Sequence, residues 1–444
     1  MTLLQANALR IPLADESVHM VCTSPPYWGL RDYGIGAQLG LEATIDEYCA
    51  NMVAVFREVK RVLRADGVLW LNLGDSYVGA NNTSIGGNAN FGSQPGRIGI
   101  GHVPKADWAG LPSKNLIGVP WRVAFALQAD GWWLRSDCIW AKPNPMPESV
   151  TDRPTKAHEY VFLLTKSANY FYDQEAVREE NADPSRTNYI PGARTFGINP
   201  DRRDNDMAER MRDYIPSGRN LRTVWTIATA PYSGAHFATF PPALVERCIR
   251  AGTSERGACP VCGSQWERVI SDRIPPGRDT RTPGQHTPTS SDKLSGPKMQ
   301  AWLNDNPKVT TGWRPTCDHY DDMYLKLTPR PRSSRKRAQQ DAQFSWWWRR
   351  VRKNAIPPGW FSEEYQELVP QDAVVFDPFV GSGTTVAVAQ QLGRRGVGID
   401  LSMPYLHLAR ERTGAAALAE WMNAKRNGKE ATSLEDLPMF KVRE

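Results

Sequence analysis

The chain has 444 residues and a formal net charge of +6, from 54 Lys and Arg against 48 Asp and Glu. This length allows two or three domains with a sizeable core, and the basic balance permits an anionic partner without requiring one. The seven cysteines are odd in number and only Cys259 and Cys262 lie close together, so a reducing cytoplasm is expected rather than a disulfide framework. The sequence shows neither a signal peptide pattern nor an apolar run of membrane-spanning length, so no membrane contact is expected.

The N-terminal part of the chain alternates strand and helix patterns. An apolar run at 18–22 predicts a short buried strand, and a second run at 67–73 predicts another. Between them, Thr44 and Glu47 form a capping-box pattern that opens a helix, which ends at 66–67. A strand, a helix and a strand in this order predict a βαβ unit and therefore a parallel sheet.

The first predicted strand runs into a proline-rich turn, Ser24, Pro25, Pro26 and Tyr27. Proline fixes the backbone and gives up its N–H, so the carbonyls here are left as aimed acceptors, and Ser24 adds a hydroxyl. Tyr27 or Trp28 can supply a stacking face. Acceptors beside an aromatic ring suit a planar heterocycle with an exocyclic amino group, as in cytosine or adenine. An ordinary proline-rich turn with core aromatics is the alternative.

The chain then continues its α/β pattern after a long loop. Residues 80–112 are rich in Gly, Asn and Ser, which predicts a flexible loop or one that a ligand orders. A helix begins at Pro120, and two buried strands are expected at 137–140 and 159–165.

Two later segments differ in composition from the rest. Residues 175–222 are polar and rich in Arg, as in a solvated surface or a binding region. Residues 255–355 hold Pro, Gly, Arg and Lys with little periodicity, and we interpret them as an insertion. Between the two segments, residues 236–249 predict a helix that a proline initiates.

A glycine-rich turn joins a predicted strand at 374–376 to a predicted helix at 384–392. Its glycines let the backbone approach a ligand closely, and Asp400 ends the next strand, where an acid can bond ribose hydroxyls. No lysine follows Gly383, as a P-loop requires, and Val386 stands in place of the third glycine of a dinucleotide fingerprint. S-adenosylmethionine (SAM), an adenosine cofactor without phosphates, fits this turn. A glycine turn that closes an ordinary α/β unit is the alternative.

With both motifs present, the chain resembles the β-class DNA amino-methyltransferases of phage and restriction-modification type, which use SAM to methylate N4 of cytosine or N6 of adenine. The family's Ser/Asp/Asn-Pro-Pro-aromatic motif is matched at 24–27, and its SAM motif is matched at 377–385. The catalytic motif comes first, as it does in the β class. Residues 142–144 and 158–160 also resemble that subgroup, as does Phe240 with the proline after it.

The resemblance implies a fold and a set of site residues. The fold is a Rossmann-like α/β core with a mostly parallel sheet, whose catalytic half precedes its SAM half. The implied catalytic residues are Ser24, Pro25, Pro26 and Tyr27. The implied cofactor-binding residues are Asp377, Pro378, Phe379, Gly381, Ser382, Gly383, Thr384, Asp400 and Phe240.

The same resemblance divides the chain into functional parts. A catalytic half precedes a candidate target-recognition region, and an insertion interrupts the SAM-binding half. The expected bounds are 1–174 for the catalytic half, 175–222 for target recognition, 223–254 with 356–420 for the SAM-binding half, 255–355 for the insertion and 421–444 for a C-terminal tail.

The mechanism that the resemblance implies begins with a base flipped out of the duplex, because a paired amino group is unreachable. Tyr27 would stack on the base, while Ser24 and the Pro25 carbonyl would accept hydrogen bonds from its amino group. Serine at position 24 favours N4 of cytosine in this family, and N6 of adenine is the alternative. A non-catalytic zinc and nucleic-acid-binding protein is a more distant alternative.

The insertion contains a cysteine knuckle. Cys259 and Cys262 have the spacing of a zinc knuckle, and Cys317 with His319 supplies a second half. Three thiols and an imidazole suit structural zinc, which would hold together a segment poor in apolar residues. Reduced surface cysteines in a loop are the alternative.

Basic residues favour a nucleic-acid partner, which the resemblance implies is double-stranded DNA; a solvated basic linker is the alternative. Several lie beside a run of tryptophans, as expected where a protein contacts the DNA backbone and stacks on bases. A cognate restriction endonuclease and a homodimer are left open as further partners, in the cytoplasm of a bacterial or phage-infected cell. The candidate DNA-binding residues are Arg219, Arg222, Arg335, Lys336, Arg337, Arg349 and Arg350.

Overall fold

The computed structural model describes the chain in several stretches. These are residues 1–30, 36, 38–78, 110–179, 219–230, 240–271, 309–321, 323, 361 and 363–414. Most of the loop expected at 80–112, of the Arg-rich segment at 175–222 and of the insertion at 255–355 lies outside them. The chain forms two compact units, the first made of Met1–Asp173, Arg222–Gln265 and Leu368–Glu444, the second of Gln174–Leu221 and Trp266–Glu367.

An eight-stranded sheet is the centre of the first unit, in the order β1-β10-β9-β2-β3-β5-β4-β6. Five neighbouring pairs are parallel, and β5 runs antiparallel to both β3 and β4. The expected mostly parallel α/β sheet is therefore confirmed. Within the described residues the strands are β1 (Thr2–Gln5), β2 (Val18–Thr23), β3 (Leu63–Leu73), β4 (Trp133–Ala141), β5 (His158–Thr165), β6 (Val224–Thr226), β7 (Glu267–Ile270), β8 (Thr310–Arg314), β9 (Val374–Asp377) and β10 (Arg395–Asp400).

Helices cover both faces of this sheet. Val21 and Leu69 lie in one core with the helix Ile45–Val62. The preceding residue of each strand, Met20 or Val68, lies against Gly252, the last residue of the helix Pro242–Gly252. Successive side chains of a strand point to opposite faces, so the two sets mark two helical layers. The helices are α1 (Ile45–Val62), α2 (Val119–Ala129), α3 (Pro242–Gly252), α4 (Thr384–Gln391) and α5 (Met403–Arg412).

The predicted capping box and the predicted initiating proline are confirmed, but the predicted end of α1 is wrong. Thr44 and Glu47 form the capping box of α1, and Pro242 is the first residue of α3. The sequence placed the end of α1 at 66–67, whereas α1 ends at Val62 and β3 begins at Leu63. Leu63 is fully buried and pairs with Val18 of β2, so tertiary packing outweighs the helical pattern there.

The second unit contains an antiparallel pair, β7 with β8, and a small aromatic cluster. Trp266 and Tyr320 are buried and meet edge to face, with ring centroids 4.8 Å apart. Phe361 lies 6.0 Å from Trp266, and the Arg268 guanidinium lies 4.4 Å from the Trp313 ring. The interpretation of 255–355 as poor in apolar packing therefore misses an aromatic cluster.

No helix in the described stretches is both long enough and apolar enough to cross a membrane.

Candidate active site

The two sequence motifs lie at neighbouring strand ends in the middle of the sheet. β2 and β9 are parallel, with Val21 opposite Phe376, so both strands end at the same edge. The Thr23 hydroxyl, the last side chain of β2, donates a 2.7 Å hydrogen bond to Asp377 at the end of β9. Ligands of open α/β sheets bind beyond the carboxyl ends of the strands, so this edge is the natural site.

The proline turn is fixed by buried neighbours. The Pro26 carbonyl accepts a 2.9 Å hydrogen bond from the buried Tyr48 hydroxyl, so it is already occupied. Trp28 is only 1% exposed and donates to the Glu42 carbonyl at 3.0 Å. Trp28 therefore belongs to the core, and of the two aromatics of the motif only Tyr27 is partly exposed.

Tyr27 is the centre of a polar cluster. Its hydroxyl donates to Glu159 at 2.7 Å and accepts from Asn72 at 2.8 Å and from the Ser24 hydroxyl at 3.2 Å. Burial, followed by the negative charge of Glu159, raises the pKa of Tyr27 well above its ordinary value. Tyr27 is therefore a neutral hydrogen-bond donor at neutral pH.

Glu159 is held as a carboxylate inside the protein. Only 14% of its side chain is exposed, and it forms an ion pair with Lys142. Burial acts to raise the pKa of Glu159, but the charge of Lys142 and hydrogen bonds from Lys142, Tyr27 and Asn72 outweigh it and lower the pKa. The Lys142 ammonium also lies 4.4 Å from the centre of the Trp140 ring.

The antiparallel direction of β5 brings this cluster together. Because β5 is antiparallel to its neighbours, its first residues lie beside the last residues of β3 and β4, with Tyr160 opposite Leu73 and His158 opposite Ala141. Asn72, Lys142 and Glu159 thus reach the edge at which β2 ends. Lys142 and Glu159 lie in the segments 142–144 and 158–160 that resemble the family, but no role was predicted for them or for Asn72. A buried Asn in an apolar strand is a polar signal that could have been noticed.

Asp377 organises the glycine-rich turn from inside. It is 1% exposed, and besides Thr23 its carboxylate accepts from the Thr385 hydroxyl at 2.8 Å and from the Phe379 N–H at 3.0 Å. Burial raises the pKa of Asp377 to about 6, against the hydrogen bonds that stabilise its charge. Asp377, which the sequence predicts to bind the cofactor, is therefore a buried group whose carboxylate is hydrogen-bonded inside the protein.

Asp400 fixes the other side of the same turn. Its carboxylate accepts from the Gly381 N–H at 3.0 Å and from the Ser402 N–H at 2.8 Å. Burial raises the pKa of Asp400. Gly383 begins α4 in the left-handed conformation, with φ of 81°, and an added Cβ would lie 2.9 Å from the Ala409 Cβ. The turn thus needs glycine at this position.

The remaining cofactor-side residues lie around the start of α3 and α4. Ser382 and Thr384 are buried, and their hydroxyls accept hydrogen bonds from Arg412 at 2.9 and 2.7 Å. Pro378 is buried in the turn itself. Phe240 is partly buried two residues before α3 begins.

The four predicted zinc ligands are all among the described residues, and we call them the four-residue cysteine and histidine group. Cys259 and Cys262 belong to the first compact unit, and Cys317 and His319 belong to the second. The Cys259 carbonyl accepts from the Gly263 N–H at 2.7 Å, and the Cys259 N–H donates to the Ser264 carbonyl at 2.9 Å, which is a tight knuckle turn. Three thiols and one imidazole match the donor set of structural zinc.

Two of the predicted DNA-binding residues are described. Arg219 forms an ion pair with Glu179 at 3.0 Å, and Arg222 is exposed. The other five, Arg335, Lys336, Arg337, Arg349 and Arg350, lie outside the described residues.

Comparison with known proteins identifies the family. The model of the N6/N4 DNA methylase family matches residues 18–264 and 301–411. The Type II methyltransferase M.Cfr9I of Citrobacter freundii is 46% identical over 256 residues, which cover 57% of this chain and 72% of that protein. The Type II methyltransferase M.SfiI of Streptomyces fimbriatus is 31% identical over 405 residues, which cover 89% of this chain and 86% of that protein.

A solved structure, the PvuII DNA methyltransferase (cytosine-N4-specific), is 14% identical with a TM-score of 0.43, over 96% of this chain and 93% of that chain. A likeness this distant adds nothing to the assignment. The family model matches most of the chain, and the regions aligned with the two relatives cover most of each relative's length. The chain therefore belongs to the N6/N4 DNA methylase family and is a SAM-dependent DNA amino-methyltransferase of the β class.

Proposed function

We propose that the target of this methyltransferase is the exocyclic N4 amino group of cytosine in DNA. The observation that supports cytosine is Ser24, a neutral hydroxyl at the end of β2 where adenine enzymes of the family more often carry Asp or Asn. Ser24 is partly exposed, and it lies next to the strand that carries the Asp377 turn. The Ser24 hydroxyl and the Pro25 carbonyl would accept hydrogen bonds from the amino group.

The target base would leave the duplex to reach these acceptors, at a cost of a few kcal/mol. Tyr27 is the aromatic residue of the motif that remains for stacking, since Trp28 is buried in the core. The Tyr27 hydroxyl is bonded on three sides, so the position of the ring is fixed before the base arrives. A site already in place lowers the barrier mainly through positioning.

The glycine-rich turn after β9 would hold SAM, which supplies an electrophilic methyl group when bound. Since the Asp377 carboxylate is occupied by Thr23, Thr385 and Phe379, we propose that it shapes the turn. Backbone groups between Pro378 and Thr384 would then face the cofactor. Asp400 would bond the ribose hydroxyls, and Phe240 would contact the cofactor from the start of α3.

The same reaction on N6 of adenine is the alternative. The experiment is to express the enzyme in a host without DNA modification, digest the host DNA to nucleosides and separate them by chromatography before mass analysis. We expect N4-methylcytosine, resolved from its C5 isomer by retention time. N6-methyladenine would instead assign the alternative. If neither methylated base is found, the proposal that the enzyme methylates an amino group in DNA is contradicted.

We further propose that the enzyme acts within a restriction-modification system, because the named relatives are Type II methyltransferases. Target recognition would fall at 175–222, and the basic tract with Arg335, Lys336, Arg337, Arg349 and Arg350 would contact the DNA backbone. Arg222 is exposed, and Arg219 pairs with Glu179. Replacing Arg222 by Ala should weaken DNA binding, and an unchanged salt dependence would exclude a phosphate contact. A cognate restriction endonuclease would accompany the enzyme, and the enzyme would form a homodimer.

Zinc is the proposed occupant of the four-residue cysteine and histidine group. The donor set fits it, and the proposed role is structural because no open ligand position is needed for methyl transfer. Elemental analysis of the purified protein should find one zinc per chain. The variant Cys262→Ser should lose it, whereas Cys49→Ser, which removes a partly buried cysteine of α1, should keep it. Protein without metal would contradict the assignment.

A further inference from the structure

The hydrogen-bonding capacity of Tyr27 is fully used. A phenolic hydroxyl donates one hydrogen bond and accepts two. Tyr27 donates to Glu159 and accepts from Asn72 and from Ser24. The Ser24 hydroxyl is therefore connected through Tyr27 to a carboxylate that it does not touch.

The charge of Glu159 sets the direction of this chain of hydrogen bonds. An ionised carboxylate only accepts, and the ion pair with Lys142 keeps Glu159 ionised. The single hydrogen of Tyr27 must then point to Glu159. As a result, Tyr27 presents lone pairs to Ser24, and the Ser24 hydrogen points inward to Tyr27.

Asn72 gives independent support for this direction. Its Nδ2 lies 2.8 Å from both the Tyr27 hydroxyl and the Glu159 Oε2, while its buried Oδ1 has no hydrogen-bond partner among the described residues. Reversing the amide would place Oδ1 against the carboxylate and repel it. Leaving a buried carbonyl unpaired costs free energy, so the charge of Glu159 must outweigh that cost.

We propose that Glu159 is a positioning residue for methyl transfer, which acts through Tyr27 to turn the Ser24 hydrogen away from the target base. The Ser24 Oγ then presents a lone pair, and not its hydrogen, to the exocyclic amino group, and the Asn72 Nδ2 lies 3.4 Å from the same oxygen. The amino nitrogen gains positive charge as its bond to the methyl group forms and the S–C bond of the sulfonium breaks, with the electron pair going to sulfur, and it then releases a proton to water. A fixed acceptor therefore stabilises the transition state more than the ground state. This inference rests on the proposed role of Ser24 and adds the group that orients it.

The main test is Glu159→Gln, which keeps the shape of the side chain but reverses the direction of the hydrogen bonds that run from Ser24 through Tyr27. Lys142 can donate only to the amide oxygen, so the amide nitrogen faces Tyr27. The Tyr27 hydrogen then turns to Ser24, and the Ser24 hydrogen turns toward the substrate. We expect kcat to fall about 10²-fold, within the range of positioned proton donors and acceptors, with unchanged SAM affinity. The control Glu58→Gln removes another ion-paired glutamate, which bonds Arg61 of α1 at 2.9 Å, and should keep kcat.

A double-mutant cycle separates orientation from general disruption. Tyr27→Phe removes the hydroxyl that links Ser24 to Glu159 but keeps the ring. If Glu159 acts through Tyr27, the double variant should be no slower than Tyr27→Phe alone. Losses that multiply would show that Glu159 acts by another route and would overturn the proposal. Circular dichroism and SAM affinity check that each variant is folded, and Tyr27→Phe with Lys142→Met keeps the proposal testable if Glu159→Gln does not fold.

The pH profile provides a readout that a structural role would not move. The groups that face Glu159 are Lys142, Lys156, Tyr27 and the neutral Asn72. Lys142→Met removes the nearest cation, so Glu159 should take up its proton at a higher pH and the acidic limb of kcat should move upward. An infrared titration of the carboxyl groups, with neither SAM nor DNA present, should show the same shift. An unmoved limb and an unmoved titration would contradict the proposal.

The assay follows total radiolabelled methyl transfer to long unmodified DNA, so its result does not depend on which base is the target. Ser24→Ala distinguishes the proposed role of Ser24 as an acceptor from the role of Glu159 in orienting it. If Ser24→Ala stays active, the proposed role of Ser24 fails. If Ser24→Ala is inactive and Glu159→Gln is as fast as the wild type, only the orienting role of Glu159 fails.

Discussion

The Thr23 hydroxyl donates a 2.7 Å hydrogen bond to the Asp377 carboxylate, although the two residues are 354 positions apart in the sequence. Thr23 immediately precedes Ser24, and Asp377 opens the glycine-rich turn. This single bond therefore ties the position of the acceptor for the base to the turn proposed to hold the methyl donor. Both groups are buried, so water does not compete for the bond.

The variant Thr23→Val should test that connection, since it keeps the shape and removes the hydroxyl. Asp377 would lose one of the hydrogen bonds that stabilise its charge, and the free energy of unfolding should fall by about 1–3 kcal/mol. SAM affinity should weaken because the turn loosens. Chemical denaturation and calorimetric titration of SAM measure the two effects.

Thr165→Val is the matched control for this variant. Thr165 is equally buried and its hydroxyl donates a 2.7 Å bond to the Ser167 carbonyl, at the opposite end of the sheet from the cofactor turn. It should lose similar stability but keep SAM affinity. Equal loss of affinity in both variants would show that Thr23 acts only through global stability.

Gly383→Ala should abolish SAM binding. The φ of 81° at Gly383 disfavours any side chain, and the new Cβ would lie 2.9 Å from the Ala409 Cβ and 3.0 Å from its Cα. Either α5 or the turn must move. Gly393→Ala is the control, because its φ of 70° carries the same strain with nothing within 4 Å of the new Cβ. Calorimetric titration of SAM should separate the two variants. An equal loss of SAM affinity in both would mean that backbone strain rather than the clash decides, and full SAM affinity in Gly383→Ala would contradict the prediction.

The sequence predicts the parts of the site that lie within one continuous segment. The turn at 24–27 and the turn at 377–385 each contain their chemistry in a few consecutive residues. The capping box of Thr44 and Glu47 is predicted for the same reason, because its contacts span three residues. Local contacts are readable from sequence since the partners are neighbours in the chain.

The contacts of the site and the strands that the sequence did not predict depend on the direction and the order of the strands in the sheet. The buried run at 159–165 predicts β5 but does not reveal that it lies antiparallel between β3 and β4. Without that direction, Glu159 has no reason to meet Asn72 or Tyr27. The edge strands β1 and β6 were missed because they are only four and three residues long, too short for a periodic pattern.

Gly74→Ala should slow methyl transfer without weakening SAM binding. The added Cβ would lie 2.6 Å from Cε2 of the Tyr27 ring, so the ring must move. A displacement of this kind near the reacting groups typically costs about 10²-fold in rate. Gly252→Ala is the comparison variant, because its Cβ would meet Val68 at 2.7 Å on the α3 side of the sheet. Single-turnover rates should fall for Gly74→Ala only, and a normal rate would exclude a positional role for the Tyr27 ring.

Asp377→Asn should change how stability depends on pH. The pKa of Asp377 is raised from 3.8 to about 6 in the folded protein. Between these values the folded state binds the proton better than the unfolded state does, so stability is greatest below pH 3.8 and falls as the pH rises through 6. This rise in the pKa of Asp377 corresponds to about 3 kcal/mol in the free energy of unfolding. The Asn amide carries no charge and does not titrate, so this loss should be absent from the variant.

The amide can keep most of the hydrogen bonds of the carboxylate. Its oxygen can accept from Thr23 and from the Phe379 N–H, and Thr385 can still donate to the Cys22 carbonyl at 3.2 Å. Relative to the wild type, Asp377→Asn should therefore gain stability as the pH rises from about 4 to about 6 in urea denaturation, and the gain should level off above the folded pKa. Asp46→Asn, which removes an exposed carboxylate from the first turn of α1, should run parallel to the wild type. Parallel curves for Asp377→Asn as well would mean that burial does not raise the pKa of this carboxyl group.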